Sequence, residues 1–185
     1  GASLRGTGGA MRVYGVPPER YWPYVKAEYE AEPPGFCYAY AEKFQALKYY
    51  RLDPPGVDPD TLIGSIKASL ASQLPAMFGW AVYSSIRETE TNGGKVPFPS
   101  LGEEAESGHA TMAVGYDDSI NLPGGQLGSV SEGGVLIRNS WGSDWGDGGY
   151  GWLSYDYIRH RLTADWWVLI DQEWIDTEEF TQHDD

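Results

Sequence analysis

Apolar residues fall into two patterns along the chain. Up to about residue 50 they recur at helical or irregular spacing among glycines and prolines; beyond it they gather into short runs bounded by turn residues, as buried strands do. Leu4, Met11 and Val13 or Tyr14 sit near helical spacing, with Gly15 suited to stop a helix. Pro17, Pro18 and Pro23 then impose an irregular, extended passage through Y-W-P-Y. A helix is predicted over 38–50, with Tyr40, Phe44, Leu47 and Tyr50 on its apolar face. The turn-rich D-P-P-G-V-D-P-D leads to a second helix over 61–74, capped by Asp60 and ended by Pro75, with Leu62, Ile66, Ser69, Leu70 and Gln73 along one side. Strands are predicted at 77–86, 110–116, 135–137, 150–153 and 164–170. The long loop before His109, a surface excursion over 117–132 and an acidic tail over 172–185 complete an α+β pattern.

Composition narrows the function classes. A chain of 185 residues, 41% hydrophobic, can bury a core as one domain or as two small lobes. Eight Trp and thirteen Tyr argue against disorder. The net charge of −14, uninterrupted by any basic cluster, argues against a nucleic-acid partner. Residues 1–52 hold seven Lys or Arg and five Asp or Glu, leaving six and twenty-two for the rest, so the acid lies in the strand-rich part. It reads as a solvated surface, or as a rim that selects basic substrates. The single cysteine, Cys37, excludes an intrachain disulfide and a Cys-rich zinc site. No apolar run approaches the roughly eighteen residues of a membrane span. Three histidines without ligand spacing, and glycines outside a strand–G-x-G-x-x-G–helix context, point to neither a metal nor a cofactor.

Candidate chemistry comes from two strands thirty residues apart. His109 opens one of them, and the run 135–137 delivers Asn139 and Trp141 at the end of the other. If these strands pair, an imidazole and a carboxamide meet at one end of a sheet. That is the base and its orienting group in a thiol hydrolase, where the amide selects the imidazole tautomer without itself becoming charged. Acyl transfer by a thiol further needs a thiolate and donors for the oxyanion.

The segment G-H-A-T-M-A-V-G-Y followed by N-S-W-G-S-D-W-G-D-G-G-Y resembles the C-terminal half of a papain-like cysteine peptidase, and Y-G-V-P-P-E-R-Y-W-P-Y resembles that family's upstream segment. The resemblance implies a two-lobed α+β fold: residues 1–46 as the remainder of a helical lobe, and residues 47–185 as a β-rich, barrel-like lobe bearing catalytic His109 and Asn139. It implies that Trp141 shields the His–Asn hydrogen bond. It also implies that Gly108 and Ala110, with Trp141, bind substrate, contacting its backbone and forming part of a hydrophobic specificity pocket. The family's oxyanion Gln and its C-G-x-C-W helix have no counterpart before Y-G-V.

Cys37 has two readings. G-F-C-Y-A-Y resembles the nucleophile segment, and the positive end of a helix dipole favours thiolate. Against this, the residue six positions upstream is Ala31 rather than Gln, and the segment follows Y-W-P-Y instead of preceding it. Cys37 is therefore expected to be structural. The implied function is peptide-bond hydrolysis through a thioester acyl-enzyme with the nucleophile outside this chain, which alone would be inactive. The substrate would be a peptide or protein, with a complementary N-terminal segment or partner chain completing the site. The alternatives are a non-catalytic peptide- or protein-binding module of the same fold and a carbohydrate-binding module built on exposed tryptophans.

Overall fold

The computed structural model describes residues 3–45, 48–124 and 129–170, and these fall into two compact units. The acidic tail predicted over 172–185 and Leu47 lie outside the described residues.

The first unit comprises the described residues through Tyr49, with Leu169 and Ile170. Helix α1 (Leu4–Tyr14) starts where the Ser3 hydroxyl accepts the Gly6 amide at 3.0 Å and stops at Gly15, φ 73°. A side chain at Gly15 would collide with the Ala41 carbonyl oxygen at 1.8 Å, so this stop requires glycine for its space as well as its φ. The proline segment forms two single 3₁₀ turns, Glu19–Tyr21 and Lys26–Glu28. Helix α2 (Gly35–Ala41) is shorter than predicted: it tightens into a 3₁₀ turn at Glu42–Phe44, and Tyr49 and Tyr50 belong to strand β1 (Lys48–Arg51). Periodicity misjudged this segment because aromatic residues serve either element and nothing local separates them.

The second unit, Tyr50–Val168, carries the main sheet. Helix α3 (Pro59–Ala71) begins two residues before the prediction: Asp58, not Asp60, is its cap, accepting the amides of Asp60 and Thr61 at 3.1 and 3.0 Å, with Pro59 in the first turn. The helix ends before Gln73, whose φ of 62° cannot continue it. Leu62, Ile63, Ile66 and Ser69 are its buried side. Strand β2 (Ala76–Tyr83) alternates buried and half-buried positions and yields to a 3₁₀ segment at Ser84–Glu90, earlier than predicted. Strand β3 (Ala105–Pro123) and strand β4 (Val130–Arg138) are far longer than their apolar centres. Much of the predicted excursion over 117–132 is in fact paired strand, with Asn121 opposite Glu132 and Pro123 opposite Val130. Backbone hydrogen bonding extends the ribbon through polar residues that apolar counting leaves out. Strand β5 (Tyr150–Ser154), helix α4 (Tyr155–Arg159) and strand β6 (Thr163–Ile170) follow.

The strand order is β1-β6-β2-β3-β4-β5, an open sheet with β1 and β5 at its edges, so the expected α+β fold holds and barrel-like describes its sheet only loosely. The β5 edge is covered by the chain at 94–96, where the Val96 amide donates to the Trp152 carbonyl at 2.9 Å and the Trp152 amide to that of Gly94 at 2.8 Å. On one sheet face Ala76, Phe78, Trp80 and Val82 of β2 are buried, and Phe78 stacks on Trp166 at 3.9 Å with 2° between the rings. No helix among the described residues is long and apolar enough to cross a membrane.

Candidate active site

The β3–β4 ladder ends at the pair Met112 and Arg138, so the chain leaving β4 at Asn139 runs past the end of the sheet where His109 stands. His109 Nε2 and Asn139 Oδ1 are 2.8 Å apart, within the hydrogen-bonding reach that pairing of the two strands implies. The Ser140 amide also points at Asn139 Oδ1, at 2.8 Å. Because a backbone N–H can only donate, this second contact identifies the atom as the amide's oxygen. Oδ1 therefore accepts from Nε2–H, and in the neutral ring Nδ1 holds the free lone pair. The other end of the same amide, Nδ2, is buried and has no hydrogen-bond partner among the described residues.

Aromatic rings enclose the pair. Trp141 stacks on the imidazole with centroids 4.6 Å apart and 25° between planes, and is itself 45% exposed. Behind it Trp145 meets Trp141 edge-on at 5.6 Å and is buried. Trp145 has this place only because residue 151 is glycine: a Cβ there would lie 2.7 Å from the Trp145 ring and 2.9 Å from the Gly94 carbonyl oxygen. Gly108 and Ala110 flank the imidazole on β3, both exposed, and pair across to Ala81 and Gly79. The backbone on either side of His109 is thus left uncovered by large side chains. Of the remaining histidines, His160 packs against Phe98 at 5.1 Å, and His183 lies outside the described residues.

Residues 10–163 match the family described as Papain family cysteine protease. The chain belongs to that family. This papain-family chain is 31% identical over 172 residues to an uncharacterised peptidase C1-like protein of Acanthamoeba polyphaga mimivirus, a match covering 91% of the chain and 51% of the viral protein. Among solved structures it is similar to xylellain, a cysteine protease from Xylella fastidiosa, with a TM-score of 0.71, 31% identity, and coverage of 91% of this chain and 61% of xylellain. It shares its fold with digestive procathepsin L 3 of Tenebrio molitor larval midgut at a TM-score of 0.61 and 20% identity, covering 92% of the chain and 49% of the procathepsin. The papain-family chain thus spans about half the length of its curated viral relative, 51%.

The chain's one cysteine, Cys37, sits in the first turn of α2 and is 2% exposed. Its thiol donates to the Tyr21 carbonyl at 3.5 Å. Sequence reasoning missed two groups at the site: the Ser140 amide, which fixes the carboxamide's orientation, and Trp80. Trp80 pairs directly with His109 across β2 and β3, with ring centroids 6.4 Å apart. The alternation of β2 marks Trp80 as buried, but its neighbour on β3 depends on register, which no local pattern carries.

Proposed function

We propose that His109 and Asn139 are the base and orienting amide of a papain-like cysteine peptidase, and that residues other than 1–185 supply the thiol. In this reading residues 1–46 are what remains of the helical lobe and residues 47–185 form the β-rich lobe that carries the site. The observation that carries it is the 2.8 Å contact between His109 Nε2 and Asn139 Oδ1 under the Trp141 ring. With Nε2–H held by the amide, Nδ1 takes the proton of an approaching thiol. The thiolate sulfur adds to the carbonyl carbon of a peptide bond, and the resulting imidazolium returns its proton to the leaving amine as the C–N bond breaks. That leaves a thioester. Water, deprotonated by the same Nδ1, then attacks the thioester and frees the acid and the thiol. Gly108 and Ala110 would border the peptide backbone, and Trp141 would exclude water from the hydrogen bond at Nε2.

The buried thiol of Cys37, engaged by the Tyr21 carbonyl, supports a structural role for that residue. It also keeps open the second reading, a peptide-binding member of the family without chemistry of its own. Joining an N-terminal family segment with its Gln and Cys to this chain, or adding it in trans, separates the two. Thiol-dependent cleavage of a peptide substrate is expected, abolished by His109→Ala and untouched by Cys37→Ala. Specific peptide binding without cleavage in that complemented protein would establish the second reading. Hydrolysis by the 185 residues alone, indifferent to Cys37→Ala, would refute the first.

A further inference from the structure

We infer that Trp80 is a positioning residue for the His109 imidazole, fixing the ring through an edge contact while Trp141 covers its face. Space-filling does not account for an indole here. Trp80 shares its sheet face with Ala76, Phe78 and Val82, all buried, and is itself 3% exposed. Its Nε1–H is buried and meets no acceptor among the described residues. A buried donor left without a partner opposes folding, so a phenylalanine would serve the core better. What the second ring adds is reach. The Trp80 ring lies 6.4 Å from His109 at 60°, and 5.9 Å from Tyr157 at 77°. Tyr157 is in turn fixed: its hydroxyl donates to the Pro97 carbonyl at 2.8 Å and its ring meets Phe98 edge-on at 5.3 Å. A line of contacts therefore runs from the Pro97 carbonyl and the Phe98 ring through Tyr157 and Trp80 to the imidazole. The hydrogen bond at Nε2 and the Trp141 ring on its face oppose rotation of the imidazole about Cβ–Cγ from two sides. An edge contact backed by a pinned tyrosine opposes it further and keeps Nδ1 aimed in one direction.

The inference rests on His109 being the base proposed above, but its test reads the ring and not the reaction. In the ¹⁵N-labelled chain, imidazole spectra report the tautomer of His109 and the solvent exchange of its Nε2–H. The native chain is expected to show one tautomer, a protected Nε2–H and cross-ring NOEs between Trp80 and His109. Trp80→Phe is expected to keep the fold while the Nε2–H exchanges about five- to tenfold faster, the size that an aromatic edge contact corresponds to. Unchanged exchange in a folded Trp80→Phe chain would overturn the inference. If that variant does not fold, Asn139→Ala decides: the cross-ring NOEs are expected to persist without the amide, and their loss would show that Trp80 holds nothing. A complemented chain lacking peptidase activity would refute the catalytic reading and leave these spectra as they are.

Discussion

The two units are both rich in aromatic residues and use them in opposite ways. Through Tyr49 the described residues bury Gly8, Cys37 and Ala41 alone, while Tyr24, Tyr29 and Phe36 are 78%, 77% and 57% exposed. Tyr21, Phe36, Tyr40 and Phe44 touch ring to ring, yet Tyr21, Phe36 and Phe44 still face solvent. Between Tyr50 and Val168, by contrast, Phe78, Tyr157 and Trp166 are sealed between sheet and helices. The difference lies in layers and not in composition. A ring contributes when its surface leaves water, about 25 cal/mol per Å² of apolar area, and that takes a second packed element on its other side. The proposed chemistry sits on the unit that has the second layer, where side chains can be held to a fraction of an ångström.

The comparison is sharpest in stability. Trp166→Ala should cost about 3–5 kcal/mol in urea unfolding, as large aromatic truncations in sealed cores do. Phe36→Ala, at a ring 57% exposed, should cost less than about 1 kcal/mol. Equal costs would mean that the rings of the first unit are held as firmly as those of the second. Next in size is Gly151→Ala, whose Cβ would press on the Trp145 ring at 2.7 Å. A loss of about 1–3 kcal/mol is expected from overpacking. The near-UV circular dichroism should change as Trp145, and Trp141 with it, shift.

A smaller effect depends on pH. The Lys67 ammonium, 2.6 Å from one carboxylate oxygen of Asp118, and the Tyr155 hydroxyl, 2.8 Å from the other, hold the Asp118 carboxyl below its usual range. A depressed folded-state value means that the unfolded chain takes up the proton first as pH falls. This contribution is therefore complete above the ordinary carboxylate range, near pH 4, and disappears as pH drops through the folded value. Asp118→Asn should lower stability at neutral pH and flatten its fall toward pH 3; an unchanged acid limb would remove Asp118 from the account. Smallest is Arg87→Ala. Its pair with Glu106 joins side chains 68% and 44% exposed, so stability should stay within about 0.5 kcal/mol. A larger loss would show the 3₁₀ segment Ser84–Glu90 to be held against the start of β3 more tightly than the exposure of the pair implies.

Much of the sheet is legible because its centres are short runs rich in apolar residues: 110–116, 135–137, 150–153 and 164–170 all fall within strands. Their ends are not, since Asn121, Glu132 and their neighbours pair through backbone groups that hydropathy does not weigh. The cap of α3 is ambiguous between two aspartates: Asp58 and Asp60 both precede the apolar face, and it is the extended backbone of Asp58 that lets its carboxylate reach forward to the amides of Asp60 and Thr61. Nothing local places Tyr49 and Tyr50 in strand β1, because aromatic residues fit either period.

What the sequence determined by itself is the ordered set His109, Asn139 and Trp141 with the glycines around them. Side-chain chemistry and turn constraints are local properties that a linear motif can hold. The tertiary structure decided what pairs with what. The β2–β3 register sets Trp80 against His109, and the chain's exit from β4 turns Asn139 Oδ1 toward Nε2 and the Ser140 amide together. Gly151 makes room for the Trp145 ring behind Trp141. Register and close packing arise between segments far apart in the chain, and a shift of one residue between β2 and β3 would take Trp80 away from His109 to the other face of the sheet.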